Sequence, residues 1–209
     1  IMQTLDSLNI ADNTIIILSS DNGPVVDDGY QDKAVELLGN HKPSAEMRGG
    51  KYSAFEAGTR VPFMIRWKNG INKTGTSDVL FSQIDLLASL AKIIGADIPA
   101  LSAPDSRDYS GVLTGKNLKS RNFLIEQNVS NKLTIQDAKG WKYIESGNGP
   151  AMLIPTNTEL GNSPLDQLYN LKSDIGEKKN VAVKYPKILK RLKKELSKEK
   201  RKGYPEKEI

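Results

Sequence analysis

The 209-residue sequence contains no cysteine, which removes disulfides, thiolate metal sites and a cysteine nucleophile from these residues without identifying a compartment. Histidine occurs once, at His41. No apolar run approaches the roughly 20 residues that a membrane span needs, so a membrane-spanning reading of this chain is excluded. The first residues lack the basic region, apolar core and small-residue cleavage site of a signal peptide. No repeat of fixed period is visible, and compositional bias is confined to the Lys/Glu-rich end.

What is present is the composition of a globular protein, 38% hydrophobic and 26% charged. The length suits one large domain or two small ones. The net charge of +5 would raise a nucleic-acid or polyanion hypothesis, but much of the excess lies between Lys184 and Lys202. That segment lacks interleaved aromatics, and a charge-rich helix face is usually solvated; a polyanion-binding module stays a minor alternative and no nucleic-acid partner is expected.

Met2, Leu5 and Leu8 recur at helical spacing with no capping signal before Ile1, so the chain is expected to begin inside a helix, as part of a longer protein. Thr14 to Ser19 is a β-branched apolar run without alternation, the pattern of a strand buried on both faces. Residues 22 to 43 form a long polar loop, with a helical turn at Ala34 to Leu38. A second strand is expected over Val61 to Trp67, with Pro62 near its start. Ser82 with Asp85 reads as a relative of the capping box, opening a helix whose stripe is Leu86, Leu87, Leu90, Ile93 and Ile94 and which stops at Gly95. Pro99 to Gly115 reads as a connection, which places a boundary near Lys119 and units at 1–118 and 119–209. Short strands follow at Asn122 to Gln127, Lys132 to Gln136, Trp141 to Glu145 and Gln167 to Leu171. A helix over Asn180 to Lys200, with Val183, Ile188, Leu189, Leu192 and Leu196 on one face, closes the chain. The fold class is α/β: a mixed sheet flanked by helices, followed by a small antiparallel sheet with a terminal helix.

Chemistry is concentrated at two places. Asp21-Asn22-Gly23 follows the first strand, where ligands bind in open α/β sheets, and offers two hard oxygen donors suited to Ca²⁺ or Mg²⁺. The same tripeptide is also common turn composition. Downstream, Arg48-Gly49-Gly50-Lys51 carries a lysine that, alone, would read as a solvated surface residue. Glu56 and Arg60, in a glycine-containing turn feeding a strand, suit either an internal ion pair or backbone hydrogen bonds.

Taken together, Asp21-Asn22-Gly23 and Met47-Arg-Gly-Gly-Lys-Tyr-Ser-Ala-Phe-Glu-Ala-Gly-Thr-Arg-Val-Pro-Phe63 closely resemble the sulfatase family. Sulfatases show S-D-N-G at a strand end, then R-G-G-K-x-x-x-(Y/F)-E-G-G-x-R-V-P before an apolar strand; only Ala57 departs, for a glycine. Ser82-Gln-Ile-Asp-Leu-Leu and Leu168-Tyr-Asn-Leu with Asp174, Glu177 and Asn180 extend the likeness over the chain, with Asn170 and Ile175 as departures. The resemblance implies the carboxy-terminal part of a sulfuric ester hydrolase acting on a sulfated carbohydrate or aryl sulfate. It implies Asp21 and Asn22 as Ca²⁺ ligands completed by residues outside this chain, and Lys51 as the cation facing the sulfate ester. His41 and Lys42 are candidate substrate contacts, or ordinary surface residues. A periplasmic or secreted location follows from family habit alone.

Sulfatases make formylglycine from the Cys or Ser of C/S-x-P-x-R, and this chain has no such motif. The nearest string, Ser102-Ala-Pro-Asp-Ser-Arg107, places its arginine one position too far and reads as a linker. The chain alone is therefore expected to be inactive and to need the missing amino-terminal part. Rival readings are a phosphodiesterase or phosphatase of the alkaline-phosphatase-like superfamily and a pseudo-sulfatase without its nucleophile. Asn22 argues against the first, since those enzymes commonly carry Asp-His for Zn²⁺ or Mn²⁺ at the corresponding place.

Overall fold

The structure, a computed structural model, describes residues 1–71, 73–99, 101–116 and 120–202. The helices are α1 (Met2–Ser7), α2 (Ala34–Leu37), α3 (Glu56–Thr59), α4 (Leu86–Ile94), α5 (Ser110–Leu113) and α6 (Pro186–Lys202). The strands are β1 (Ile16–Ser19), β2 (Phe63–Arg66), β3 (Phe123–Gln127), β4 (Leu133–Asp137), β5 (Trp141–Ile144), β6 (Met152–Leu153), β7 (Thr158–Glu159) and β8 (Gln167–Asn170). Two compact units result, one from 1–19 with 62–122 and one from 20–61 with 123–202. The boundary expected near Lys119 lies outside the described residues; loop 20–61, which follows the first strand in sequence, packs with the second unit.

In the first unit β1 pairs antiparallel with β2, Leu18 opposite Met64. Burial on both faces was the expectation for β1, yet Leu18 and Met64 are each more than half exposed. Among the described residues β2 is the only strand beside β1, and a two-stranded ribbon cannot cover both of its faces. The capping box at Ser82 and Asp85 forms with both reciprocal bonds, and α4 ends at Gly95 in the left-handed conformation. The fully buried side chains at this helix are polar: Asp85 at its N-cap and Ser89, whereas Leu87 and Ile94 are exposed. Asp85 takes a two-pronged bond from Arg121 and accepts the Arg107 N–H at 3.0 Å, while the Ser89 hydroxyl accepts the Tyr109 N–H at 2.8 Å. These bonds fold the polar connection back onto α4 at Arg107 and Tyr109.

In the second unit β3-β4-β5-β8 form an antiparallel sheet. The turn between β4 and β5 is fixed by Asp137, whose carboxylate accepts the N–H groups of Lys139 and Trp141, both at 2.9 Å. Alternation along β5 divides the sheet between two cores. Ile135, Tyr143 and Leu168, neighbours in register, pack under Leu192 and Leu196 of α6. Ile144 and Tyr169 pack instead against Ala54 and Phe55 of the 48–58 loop, so this sheet is the floor on which that loop rests. A short ribbon of β6 and β7 was not legible in advance.

The terminal helix starts at Pro186, six residues later than the periodicity indicated. Proline disfavours helical backbone at the residue before it and is itself accepted in a first turn, so Tyr185-Pro186 sets the start. Val183 accordingly lies outside the helix and is 97% exposed.

Candidate active site

The segment after β1 and the 48–58 loop are tied by backbone. The Gly23 N–H donates to Gly58 O at 2.9 Å, and the Lys51 N–H donates to Pro24 O at 2.9 Å. Gly23 fits this close approach only without a side chain, since a Cβ there would stand 1.6 Å from Ala57 O. Gly49 turns the loop with φ +81°, a conformation that suits glycine, and a Cβ there would meet the Ser53 hydroxyl at 2.4 Å. Two motifs more than 20 residues apart in sequence are thus brought together, with Asp21-Asn22 just before one tie and Lys51 at the other.

Asp21 is exposed and Asn22 part-buried. The Ser20 hydroxyl donates to Asn22 O at 3.1 Å, and the Asn22 side-chain amide donates to Gly23 O at 2.9 Å. Its nitrogen engaged by the backbone, the Asn22 amide still has an oxygen to offer, and Asp21 adjoins it in sequence. The donor set therefore fits a hard cation in kind, with two oxygens where Ca²⁺ takes six to eight. Among the described residues no group of three or more His, Cys, Asp or Glu side chains is gathered as a metal site.

Lys51 is held by two residues that sequence reasoning passed over. Its ammonium lies 2.7 Å from Asp28 Oδ2, and the Tyr52 hydroxyl donates to the same carboxylate at 2.9 and 3.2 Å. The hydrogen bond from Lys51, and then that from Tyr52, holds Asp28 below the usual carboxylate range, and Asp28 in turn holds the Lys51 ammonium above its ordinary pKa. His41 and Lys42 are exposed in a turn closed by His41 N–H to Leu38 O and Ala45 N–H to Lys42 O. Among the described residues no hydrogen bond or ion pair joins their side chains to Asp21, Asn22 or Lys51.

Beneath the loop is a buried charge cluster. Lys142 of β5, fully buried, lies 3.0 Å from Glu56 and 3.4 Å from Glu177. Glu56 also accepts from Arg60 Nε at 2.6 Å, and its backbone N–H donates to Glu177 Oε2 at 2.5 Å. Arg48 forks onto Glu159, donates to Glu177 O at 3.1 Å and lies over the Phe55 ring. Of the two readings open for Glu56 and Arg60, the structure shows the internal ion pair, extended by Lys142.

Burial pushes the Glu177 carboxyl up to about 7 even with Lys142 beside it. For Glu56 burial also works upward, but Lys142 and Arg60 prevail and hold it below its ordinary value. A carboxyl raised on folding contributes stability that is fully present below about 4.5 and is lost as pH rises through about 7. This rise corresponds to roughly 3 kcal/mol. Urea unfolding of the protein is therefore expected to show stability falling between pH 5 and pH 7.5, with a shallower slope in Glu177→Gln; Glu126, raised by burial, acts in the same direction. A wild-type stability that rises across this window would contradict it.

A family model described as Sulfatase matches residues 1–96. An N-acetylgalactosamine-6-O-sulfatase of Bacteroides thetaiotaomicron is 50% identical over 192 residues, which cover 92% of this chain and 37% of that protein. A solved Bacteroides thetaiotaomicron structure, described under the metabolism of multiple glycosaminoglycans, superposes with a TM-score of 0.88 at 48% identity over 94% of this chain and 41% of that one. A sulfatase from Pseudoalteromonas sp. shares the fold, with a TM-score of 0.73 at 21% identity, covering 100% of this chain and 41% of that one. The chain spans about two fifths of the length of these relatives. The likeness runs through both units and includes the strand end and loop that the backbone ties together, and the chain belongs to the sulfatase family.

Proposed function

We propose that the whole protein is a sulfuric ester hydrolase acting on a sulfated carbohydrate, and that this chain is its carboxy-terminal part, supplying one side of the site. The observation that supports the reading is the backbone tie between Gly23-Pro24 and the Gly58 and Lys51 positions, which brings the Asp21-Asn22 segment and the lysine loop together. Asp21 and Asn22 would hold Ca²⁺ with acidic residues from outside this chain, and the ion would supply positive charge to orient the sulfate group. Lys51 would point its ammonium at the ester, where a compact cation neutralises negative charge that shifts toward the leaving oxygen. His41 and Lys42, on an exposed turn of the long loop, would contact the sugar. The formylglycine nucleophile would come from the amino-terminal part, making 1–118 the rest of the catalytic domain and 119–209 a small supporting subdomain.

The identity to an N-acetylgalactosamine-6-O-sulfatase supports a 6-sulfated amino sugar as the substrate class. Full-length protein assayed in parallel on N-acetylgalactosamine 6-sulfate and the matching 6-phosphate is expected to release sulfate and to leave the phosphate ester intact. A preference for phosphate would place the protein with the phosphoesterases instead.

A further inference from the structure

A lysine used as a point charge presents a difficulty: its four-carbon stem has many rotamers, and an ammonium free to wander is a poor partner for one particular oxygen. Lys51 is not free. Its ammonium is 2.7 Å from Asp28, its backbone N–H is bonded to Pro24 four residues before Asp28, and both side chains are part-buried. Tyr52 completes the arrangement. Its backbone is in the left-handed region at φ +81°, a strained conformation for a bulky residue, and its hydroxyl donates to the Asp28 carboxylate while its ring lies 5.1 Å from the Lys51 ammonium. We propose that Asp28 is a positioning residue for Lys51, fixing the ammonium at the strand-end side of the site, with Tyr52 holding Asp28 in turn. The proposal rests on the reading of Lys51 as the sulfate-facing cation.

The chemistry favours positioning over attraction. An ammonium has three donors, so one given to Asp28 leaves two for a sulfate oxygen and a leaving oxygen. A carboxylate so close also offsets part of the positive charge, and would therefore not improve binding of an anion; its advantage is a fixed geometry. Loss of Asp28 is thus expected to lower kcat more than it raises KM, because misplacement by an ångström can reduce rates on the order of 100-fold while leaving binding largely intact.

The test is a double-mutant cycle in the full-length protein, with N-acetylgalactosamine 6-sulfate as the probe and folding checked by circular dichroism. Asp28→Asn is expected to lower kcat about 30-fold with KM changed less than about 3-fold, and Tyr52→Phe to lower kcat about 5-fold. Lys51→Ala is expected to lower kcat/KM by about 100-fold or more, and adding either Asp28→Asn or Tyr52→Phe to it should lower the rate by less than about 2-fold. If Asp28→Asn lowers the rate by the same factor with and without Lys51, or leaves kcat at the wild-type value while Lys51→Ala does not, the positioning role is overturned and the sulfatase reading stands. If Lys51→Ala itself retains wild-type turnover, the sulfate-facing role of Lys51 is overturned, and the positioning role with it. Should Asp28→Asn fail to fold, the Tyr52→Phe arm carries the same comparison alone.

Discussion

Replacing Lys142 with methionine is expected to destabilise the full-length protein by about 3 to 5 kcal/mol, because it leaves buried carboxylates without their cation. Methionine keeps the unbranched stem, so the change removes charge with little loss of packing volume. Lys142 is completely buried and is the charge that Glu56 and Glu177 share. Burial alone would lower its pKa, but Glu56, Glu177 and Glu126 outweigh that and hold the ammonium charged. Without it Glu56 keeps Arg60, whereas Glu177 keeps only a backbone N–H on one oxygen. The double variant Lys142→Met with Glu177→Gln is therefore expected to recover more than half of the loss. Urea unfolding with an unchanged dependence on denaturant would measure both, and a loss below about 1 kcal/mol for the single variant would show that the cluster does not support the loop. The consequence reaches the site, since Glu56 opens α3, whose Gly58 accepts the Gly23 N–H.

The parts of this architecture that were legible in the sequence are those set by local chemistry. The Ser82–Asp85 box, the left-handed Gly95 stop, the Asp137–Gly140 turn and the four strands around it depend on side chains reaching backbone a few residues away. The pairing of Asp21-Asn22-Gly23 with the Met47–Phe63 stretch stood out only through its resemblance to the sulfatase family, since each alone reads as a turn or a surface loop. What the sequence did not carry were the long-range pairings. Asp85 read as a cap, yet it is also the buried partner of Arg121, 36 residues away. Lys142 sat unnoticed in a strand of alternating residues, and nothing local marks a lysine that will be buried between two glutamates. Asp28 lies in an Asp-Asp-Gly stretch with the composition of any polar turn, and only the fold shows that of its two aspartates this one meets Lys51. The late start of α6 has a local cause in Pro186, overridden in the sequence reading by the apolar spacing that includes Val183.

The second large effect concerns the strand end itself. Asp21 is exposed and Asn22 part-buried, with no core contact to lose, so removing their oxygens is expected to leave stability within about 1 kcal/mol of wild type. Their loss should instead act on the cation. In the proposed site these two would be adjacent ligands out of six to eight, and the Asp21 carboxylate would supply the stronger field of the two. Asp21→Ala is therefore expected to weaken Ca²⁺ binding by about 100-fold or more, and Asn22→Ala by less, since it removes a neutral oxygen.

The most direct measurement is calorimetric titration of chelator-treated full-length protein with Ca²⁺, paired with sulfate release from N-acetylgalactosamine 6-sulfate, for wild type and for Asp21→Ala with Asn22→Ala. Wild type is expected to bind Ca²⁺ and to regain turnover as it does so, while the double variant, still folded, loses both. A double variant that binds Ca²⁺ and turns over like wild type would contradict the assignment of this strand end as part of a sulfatase site.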